Sequence, residues 1–289
     1  MRRFRYVVCD VFTDVPLAGN QLAVFTDARD LTEGEMQALA KEMNFAESTF
    51  VLPPTTDDAD VRIRIFTPAN ELPFAGHPTL GTATVIRGTS RAGQVVLSLG
   101  VGDIPVAFED RPEGTFGEMR QRDPTFGLVH PRDEVARTLG VAPDDLDPAW
   151  PIQTVSTGVP FAMVPFRRLA ALRALKMDLH RVDAYLTQTD ARHLDLVSRE
   201  TVDPAAKLHA RMIFSGGEDP ATGSAAGCCA AWMVRYGVAA PGEAALIEQG
   251  IEARRPSRIH VRASAGGAGA TDVRVGGHVV EVARGELTL

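Results

Sequence analysis

An internal repeat constrains this chain more than any other feature. Val11-Phe12-Thr13-Asp14-Val15-Pro16-Leu17-Ala18 returns 144 residues later as Val155-Ser156-Thr157-Gly158-Val159-Pro160-Phe161-Ala162, with five of eight positions identical. A second pair has nearly the same spacing. Pro78-Thr79-Leu80-Gly81-Thr82-Ala83 and Pro220-Ala221-Thr222-Gly223-Ser224-Ala225 share the pattern P-x-x-G-[ST]-A, 142 residues apart. Each follows a similar strand-like run, beginning at Arg64 and at Arg211. Two matches at one spacing point to a duplicated unit, with a boundary near residues 115–150.

Around the repeat the pattern is strand-rich. Short runs of Val, Ile and Phe, punctuated by Gly, Pro and Asp, predict strands at 5–11, 48–52, 61–67, 94–99, 104–108, 116–120, 151–157, 161–164, 209–215, 244–248, 257–262, 272–275 and 278–282. Helices are fewer. Thr32-x-x-Glu35 has capping-box form and opens an apolar-periodic segment through Met36, Leu39 and Met43. Pro131 and the acidic residues after it predict a helix over 131–139. Segments 78–88 and 220–236 read as small-residue helices packed closely on both sides, and 265–270 as a flexible turn. The class is α+β.

Composition excludes several functions. The 289 residues, 45% hydrophobic and 23% charged, suit one large or two ordinary soluble domains. The net charge of −7 argues against nucleic acid as a partner, and the basic pairs Arg167-Arg168 and Arg254-Arg255 read as solvated ends. Cys9, Cys228 and Cys229 do not form a disulfide framework, and no metal-ligand spacing is present, so no metal is expected. Cys228 and Cys229 read as helix core rather than as nucleophiles. The apolar run after Arg2-Arg3 is too short for a leader, and no stretch of about 18 apolar residues occurs. The expectation is a cytoplasmic protein with free thiols and no membrane partner.

The repeated motif also carries candidate chemistry. His77 precedes the shared proline in the first half and Asp219 precedes it in the second, a base and an acid at matching positions. Proline suits the first helical position, and the first-turn N–H groups of such a helix can hold an anion. Gly76, Gly81, Gly223 and Ser224 would let a ligand reach the backbone. Two such helix starts facing one cleft could grip a carboxylate and present His77 and Asp219 to one carbon. Taken singly, Asp219 reads equally as a helix cap and His77 as a loop residue. Glu47 sits between Phe45 and Phe50, where desolvation would raise its pKa, although a strand-edge surface role fits its spacing as well. Asn20 is either a ligand contact or a turn residue. Gly76-x-x-x-x-Gly81 continues Thr-Ala and is no P-loop, and Ser224 lacks a nucleophile-elbow setting.

Four segments resemble one family. They are the runs from Asp10 to Asn20, from Glu47 to Val51, from Arg64 to Thr82 (R-I-F-T-P-A-N-E-L-P-F-A-G-H-P-T-L-G-T) and from Glu218 to Gly227 (E-D-P-A-T-G-S-A-A-G). Together with the closing Gly250–Arg262 stretch they resemble the PhzF family of phenazine-biosynthesis isomerases, which shares the fold of diaminopimelate epimerase and proline racemase. The resemblance implies two pseudo-symmetric domains, each a mixed sheet curled around a central helix, spanning residues 1–118 plus 277–289 and residues 119–276. The active site would lie in the cleft between them. It implies cofactor-independent proton transfer on a small cyclic or conjugated carboxylic acid, similar to isomerisation of trans-2,3-dihydro-3-hydroxyanthranilate. The family's catalytic residues fall on Glu47, His77, Asp219 and Ser224, with substrate contacts at Asn20, Gly76, Thr222 and Gly223. A homodimer is implied.

There are departures from the pattern. Racemases of this fold use a Cys in each half, and Leu80 and Thr222 are read as standing at those positions. Gln21 follows Asn20 where the phenazine enzyme has proline. Two other functions stay open: a C–C or C–N bond-cleaving lyase or hydrolase on the same scaffold, and a non-catalytic small-acid binder.

Overall fold

The computed structural model describes residues 1–88, 92–267 and 269–289. Ala268, inside the turn expected at 265–270, lies outside the described residues. The chain divides into two compact units, Met1–Arg120 with Gly276–Leu289, and Gln121–Val275.

In the first unit β1 (Arg3–Val11) pairs antiparallel with β2 (Asn20–Phe25). Helix α1 (Glu33–Met43) follows, closed by the reciprocal capping box of Thr32 and Glu35. Strand β3 (Glu47–Leu52) lies parallel to β2, and β4 (Val61–Phe66) antiparallel to β3. The short β5 (Glu71–Leu72) returns along β4 and feeds helix α2 (Gly76–Arg87). Strand β6 (Gln94–Leu99) lies parallel to β4, and β7 (Gly102–Arg111) and β8 (Gly114–Arg120) continue as antiparallel neighbours. A stacked Phe25–Phe50 pair, with Phe66 edge-on to Phe50, fills the core between α1 and the sheet.

The second unit starts with β9 (Thr125–His130), α3 (Arg132–Leu139) and β10 (Ile152–Ser156). It continues through β11 (Pro160–Phe166), α4 (Leu169–Ala174), α5 (Leu179–Leu186), β12 (His193–Ser198), β13 (Leu208–Phe214) and β14 (Gly217–Asp219). Helix α6 (Gly223–Arg235), β15 (Ala245–Gln249), β16 (Ser257–Ser264) and β17 (Thr271–Thr288) complete the chain. The pairing scheme repeats that of the first unit. β10–β11 is antiparallel, β11–β12 parallel, β12–β13 and β13–β14 antiparallel, β13–β15 parallel and β15–β16 antiparallel.

The duplication is therefore real, but its register differs from the one read in the sequence. Arg64 grips Glu71 through two hydrogen bonds of 2.7 and 2.6 Å, and Arg211 grips Glu218 through two of 2.8 Å. Ile65 pairs with Leu72 as Met212 pairs with Asp219. These pairs stand 147 residues apart. On that register Pro73 matches Pro220, Gly76 matches Gly223, and the helices begin at the two glycines. His77 thus corresponds to Ser224, and Asp219 to Leu72. The expected equivalence of His77 and Asp219 fails, as does the reading of Pro78 and Pro220 as first helical residues. Pro78 lies inside the first turn, and Pro220 lies outside its helix. The residue at Thr222's place is Ala75, not Leu80. The incoming strand and its Arg–Glu clamp set where each helix starts. The P-x-x-G that the two halves share is therefore Pro73–Gly76 with Pro220–Gly223, and the match of Pro78–Gly81 is displaced from it by five residues. The first match also holds only in part, since Pro16–Ala18 form a loop while Pro160–Ala162 lie in β11.

Helices α2 and α6 are buried along most of their length, which explains their small residues. A Cβ on Gly81 would come within 2.6 Å of Leu22 and 2.8 Å of Val11. The two strands expected at 272–275 and 278–282 are one, because β17 pairs with β1 from Val279 to Thr288 through backbone bonds that need no apolar pattern. β5 and β14 are too short to carry a period, and β2, β9 and β12 were not expected as strands. No helix among the described residues is long and apolar enough to cross a membrane.

Candidate active site

Four candidate residues come together in the first unit. Asn20 opens β2, Glu47 opens β3, and Gly76 and His77 open α2. Because β2 and β3 are parallel, their first residues lie at one end of the sheet, with Leu22 beside Glu47. The start of α2 brings His77 to that end. Asn20 Nδ2 lies 3.2 Å from His77 Nδ1. His77 Nε2 lies 3.4 Å from Glu47 Oε2.

Burial decides the electrostatics. His77 is 5% exposed, and desolvation pushes its pKa down to about 3 against a raising contact from the Gln21 backbone. The imidazole is therefore neutral at physiological pH, and its approach to Glu47 is not an ion pair. Glu47 keeps 17% of its side-chain surface exposed, while Oε2, the oxygen that faces His77, is buried. A partly exposed carboxylate beside a neutral imidazole is suited to taking a proton.

The loop before Asn20 is held by a residue that sequence reasoning missed. Asp10 is buried and accepts the Leu17 N–H at 2.7 Å. Phe12 and Leu17 adopt positive φ there. Gly19, at φ +67°, leaves no room for a Cβ, which would lie 2.4 Å from the Val11 carbonyl. The sequence did carry a signal, an aspartate closing an apolar strand.

The second unit holds the other four candidates. Asp219 ends β14, Thr222 precedes α6, and Gly223 and Ser224 are its first residues. The Thr222 hydroxyl donates to Asp219 Oδ2 at 2.6 Å. The Gly223 carbonyl accepts from Gln121 Nε2 at 2.9 Å, and Gln121 Oε1 accepts the Thr157 hydroxyl at 2.6 Å. Sequence reasoning also missed Gln249, which bonds Thr222 and the Asp219 carbonyl. Its signal was a polar residue closing the apolar run of β15. Cys228 and Cys229 are fully buried, and burial pushes the Cys228 thiol up to about 12, so neither is a thiolate nucleophile.

The family model described as "Phenazine biosynthesis-like protein" matches residues 9–285. The chain belongs to the phenazine biosynthesis-like family. Within that family it is 38% identical to the trans-2,3-dihydro-3-hydroxyanthranilate isomerase of Pseudomonas aeruginosa over 290 residues, covering 99% of both chains. The fold is that of the PhzF-family phenazine biosynthesis protein of Bacillus anthracis, at a TM-score of 0.90 and 29% identity with full coverage of both chains. The wider fold class extends beyond the phenazine biosynthesis-like family. A hydroxyproline epimerase from Agrobacterium vitis superposes at a TM-score of 0.66 and 12% identity, covering 99% of this chain and 92% of that one.

Proposed function

We infer that the protein is an isomerase of its family that moves a proton on a small cyclic or conjugated carboxylic acid, without a cofactor. The observation that carries this reading is the Glu47 carboxylate 3.4 Å from a buried, neutral His77 whose far nitrogen is held by Asn20. The similarity to trans-2,3-dihydro-3-hydroxyanthranilate isomerases supports that compound, or a close analogue, as the substrate class.

In this reading Glu47 takes a proton from one substrate carbon. The C–H electron pair passes into the conjugated system, and Glu47 returns the proton to another carbon. His77 hydrogen-bonds the substrate and Asn20 holds its ring. First-turn N–H groups at Gly76–His77 are the donors for the substrate carboxylate. Asp219 and Ser224 serve the same reaction, and the working enzyme is a homodimer. A positioned acid–base group contributes about 10²–10⁴-fold. The Glu47→Gln variant, turning over the dihydrohydroxyanthranilate in deuterated water, should lose solvent-proton incorporation by that factor. Undiminished incorporation would refute Glu47 as the base.

A further inference from the structure

We propose that Gln249 is a positioning residue that fixes the direction of the Thr222 hydroxyl and thereby holds Asp219 as a hydrogen-bond acceptor. The proposal deepens the reading of Asp219 as part of the catalytic machinery and rests on it.

Hydrogen-bond arithmetic carries the argument. Gln249 is 2% exposed and closes β15. Its Oε1 accepts the Thr222 N–H at 3.1 Å, which identifies that atom as the oxygen. The other end is then the NH₂ group. It donates to the Asp219 carbonyl at 2.8 Å and to Thr222 Oγ1 at 2.9 Å. Thr222 Oγ1 has one proton, and a hydroxyl that accepts from an amide must point that proton elsewhere. Asp219 Oδ2, at 2.6 Å, receives it. The relay therefore runs one way, from the amide to the hydroxyl to the carboxylate. It also satisfies the Thr222 N–H at the mouth of α6, so Thr222 is spoken for from within the protein rather than by a ligand. Other ionisable groups on these strands are already engaged. Glu218 binds Arg211, and Glu248 binds His209 and the N–H groups of Val202 and Asp203.

The other half of the duplication supplies an independent observation. Strand register places Leu72 where Asp219 stands and Leu99 where Gln249 stands, and the matched helix starts place Ala75 where Thr222 stands. The Asp–Thr–Gln group is replaced as a set by Leu–Ala–Leu. The fold needs no polar group at any of the three places.

The test uses the full-length protein with Gln249→Glu, Thr222→Val, Thr222→Ser and Asp219→Asn. Turnover of the dihydrohydroxyanthranilate is measured, with the Asp219 carboxyl carbon followed in ¹³C-aspartate-labelled protein. Hydrogen bonds to a charged group are worth about 1.5–3 kcal/mol, or about 10–100-fold. Gln249→Glu, whose carboxylate accepts rather than donates, and Thr222→Val should each lower kcat by that factor with KM within about twofold. Thr222→Ser should restore it. The Asp219 carboxyl should titrate at higher pH in the first two variants than in the parent. Folded Gln249→Glu and Thr222→Val chains with parental kcat and parental titration overturn the relay. If Gln249→Glu does not fold, the Thr222 pair decides alone. A fully active Asp219→Asn chain overturns the catalytic reading of Asp219 but not the relay, which the carbon titration still reads.

Discussion

Thr49 Oγ1 and Thr82 Oγ1 lie 2.8 Å apart, both fully buried, two residues beyond Glu47 and five beyond His77. This bond ties the strand that carries the carboxylate to the helix that carries the imidazole. It fixes the separation on which the proposed proton transfer depends.

Thr82→Val keeps the shape but leaves the Thr49 hydroxyl buried without its partner. The expected cost is about 1–3 kcal/mol in urea unfolding, whereas Thr49→Val with Thr82→Val should come close to the parent. Both variants should lose kcat, because the side-chain bond that ties the strand to the helix is then gone. A double variant less stable than the sum of its parts would show that the bond is not what the two threonines supply.

Acid should weaken the fold through His77. Its pKa falls from about 6.5 in the unfolded chain to about 3 in the fold, so between those values the unfolded state binds the extra proton. Stability from this group is present above pH about 6.5 and is lost progressively toward pH about 3. Urea midpoints measured across that window should fall with pH, and the slope should flatten in His77→Phe. A slope identical in parent and variant would assign the acid sensitivity to other groups.

Alkali should act through His209. Its side chain is fully buried, with Nδ1 2.8 Å from Glu248 Oε1 and Nε2 3.2 Å from Glu252 Oε2. Burial alone would lower its pKa, but the hydrogen bonds that the ring donates to Glu252 and Glu248 outweigh that and raise it. Its stabilising contribution is complete below the unfolded value of about 6.5 and is lost as pH rises through the folded value. Glu248 also accepts the Val202 and Asp203 amides, so those amides should lose hydrogen-exchange protection first as pH rises, after correction for intrinsic exchange. Protection that holds constant through that range would count against a charged His209.

Much of this was legible in the sequence, for identifiable reasons. The Thr32–Glu35 box and the Val-rich strands act locally, so a local reading finds them. The duplication was visible, but its register was not, because it is set by Arg64–Glu71 and Arg211–Glu218, contacts between a strand and its return. A pattern of small residues at Pro78 and Pro220 was matched instead. For the same reason His77 was paired with the wrong residue. Local spacing leaves Glu47 open between a strand-edge and a catalytic role; the family resemblance favours the second, and parallel pairing of β2 with β3 puts it at the sheet end that holds Asn20 and His77. Gln249 could not be chosen from its neighbours, because its partners lie 27 and 30 residues away.

The apolar set Leu72, Ala75 and Leu99 has a use in design. It occupies in the first unit the positions that Asp219, Thr222 and Gln249 occupy in the second, on the same strand–turn–helix frame. The first unit thus carries an apolar counterpart of the polar cradle at matching strand and helix positions. Writing the Asp–Thr–Gln set into it would ask how much of an active site can be transplanted between two copies of one ancestral segment.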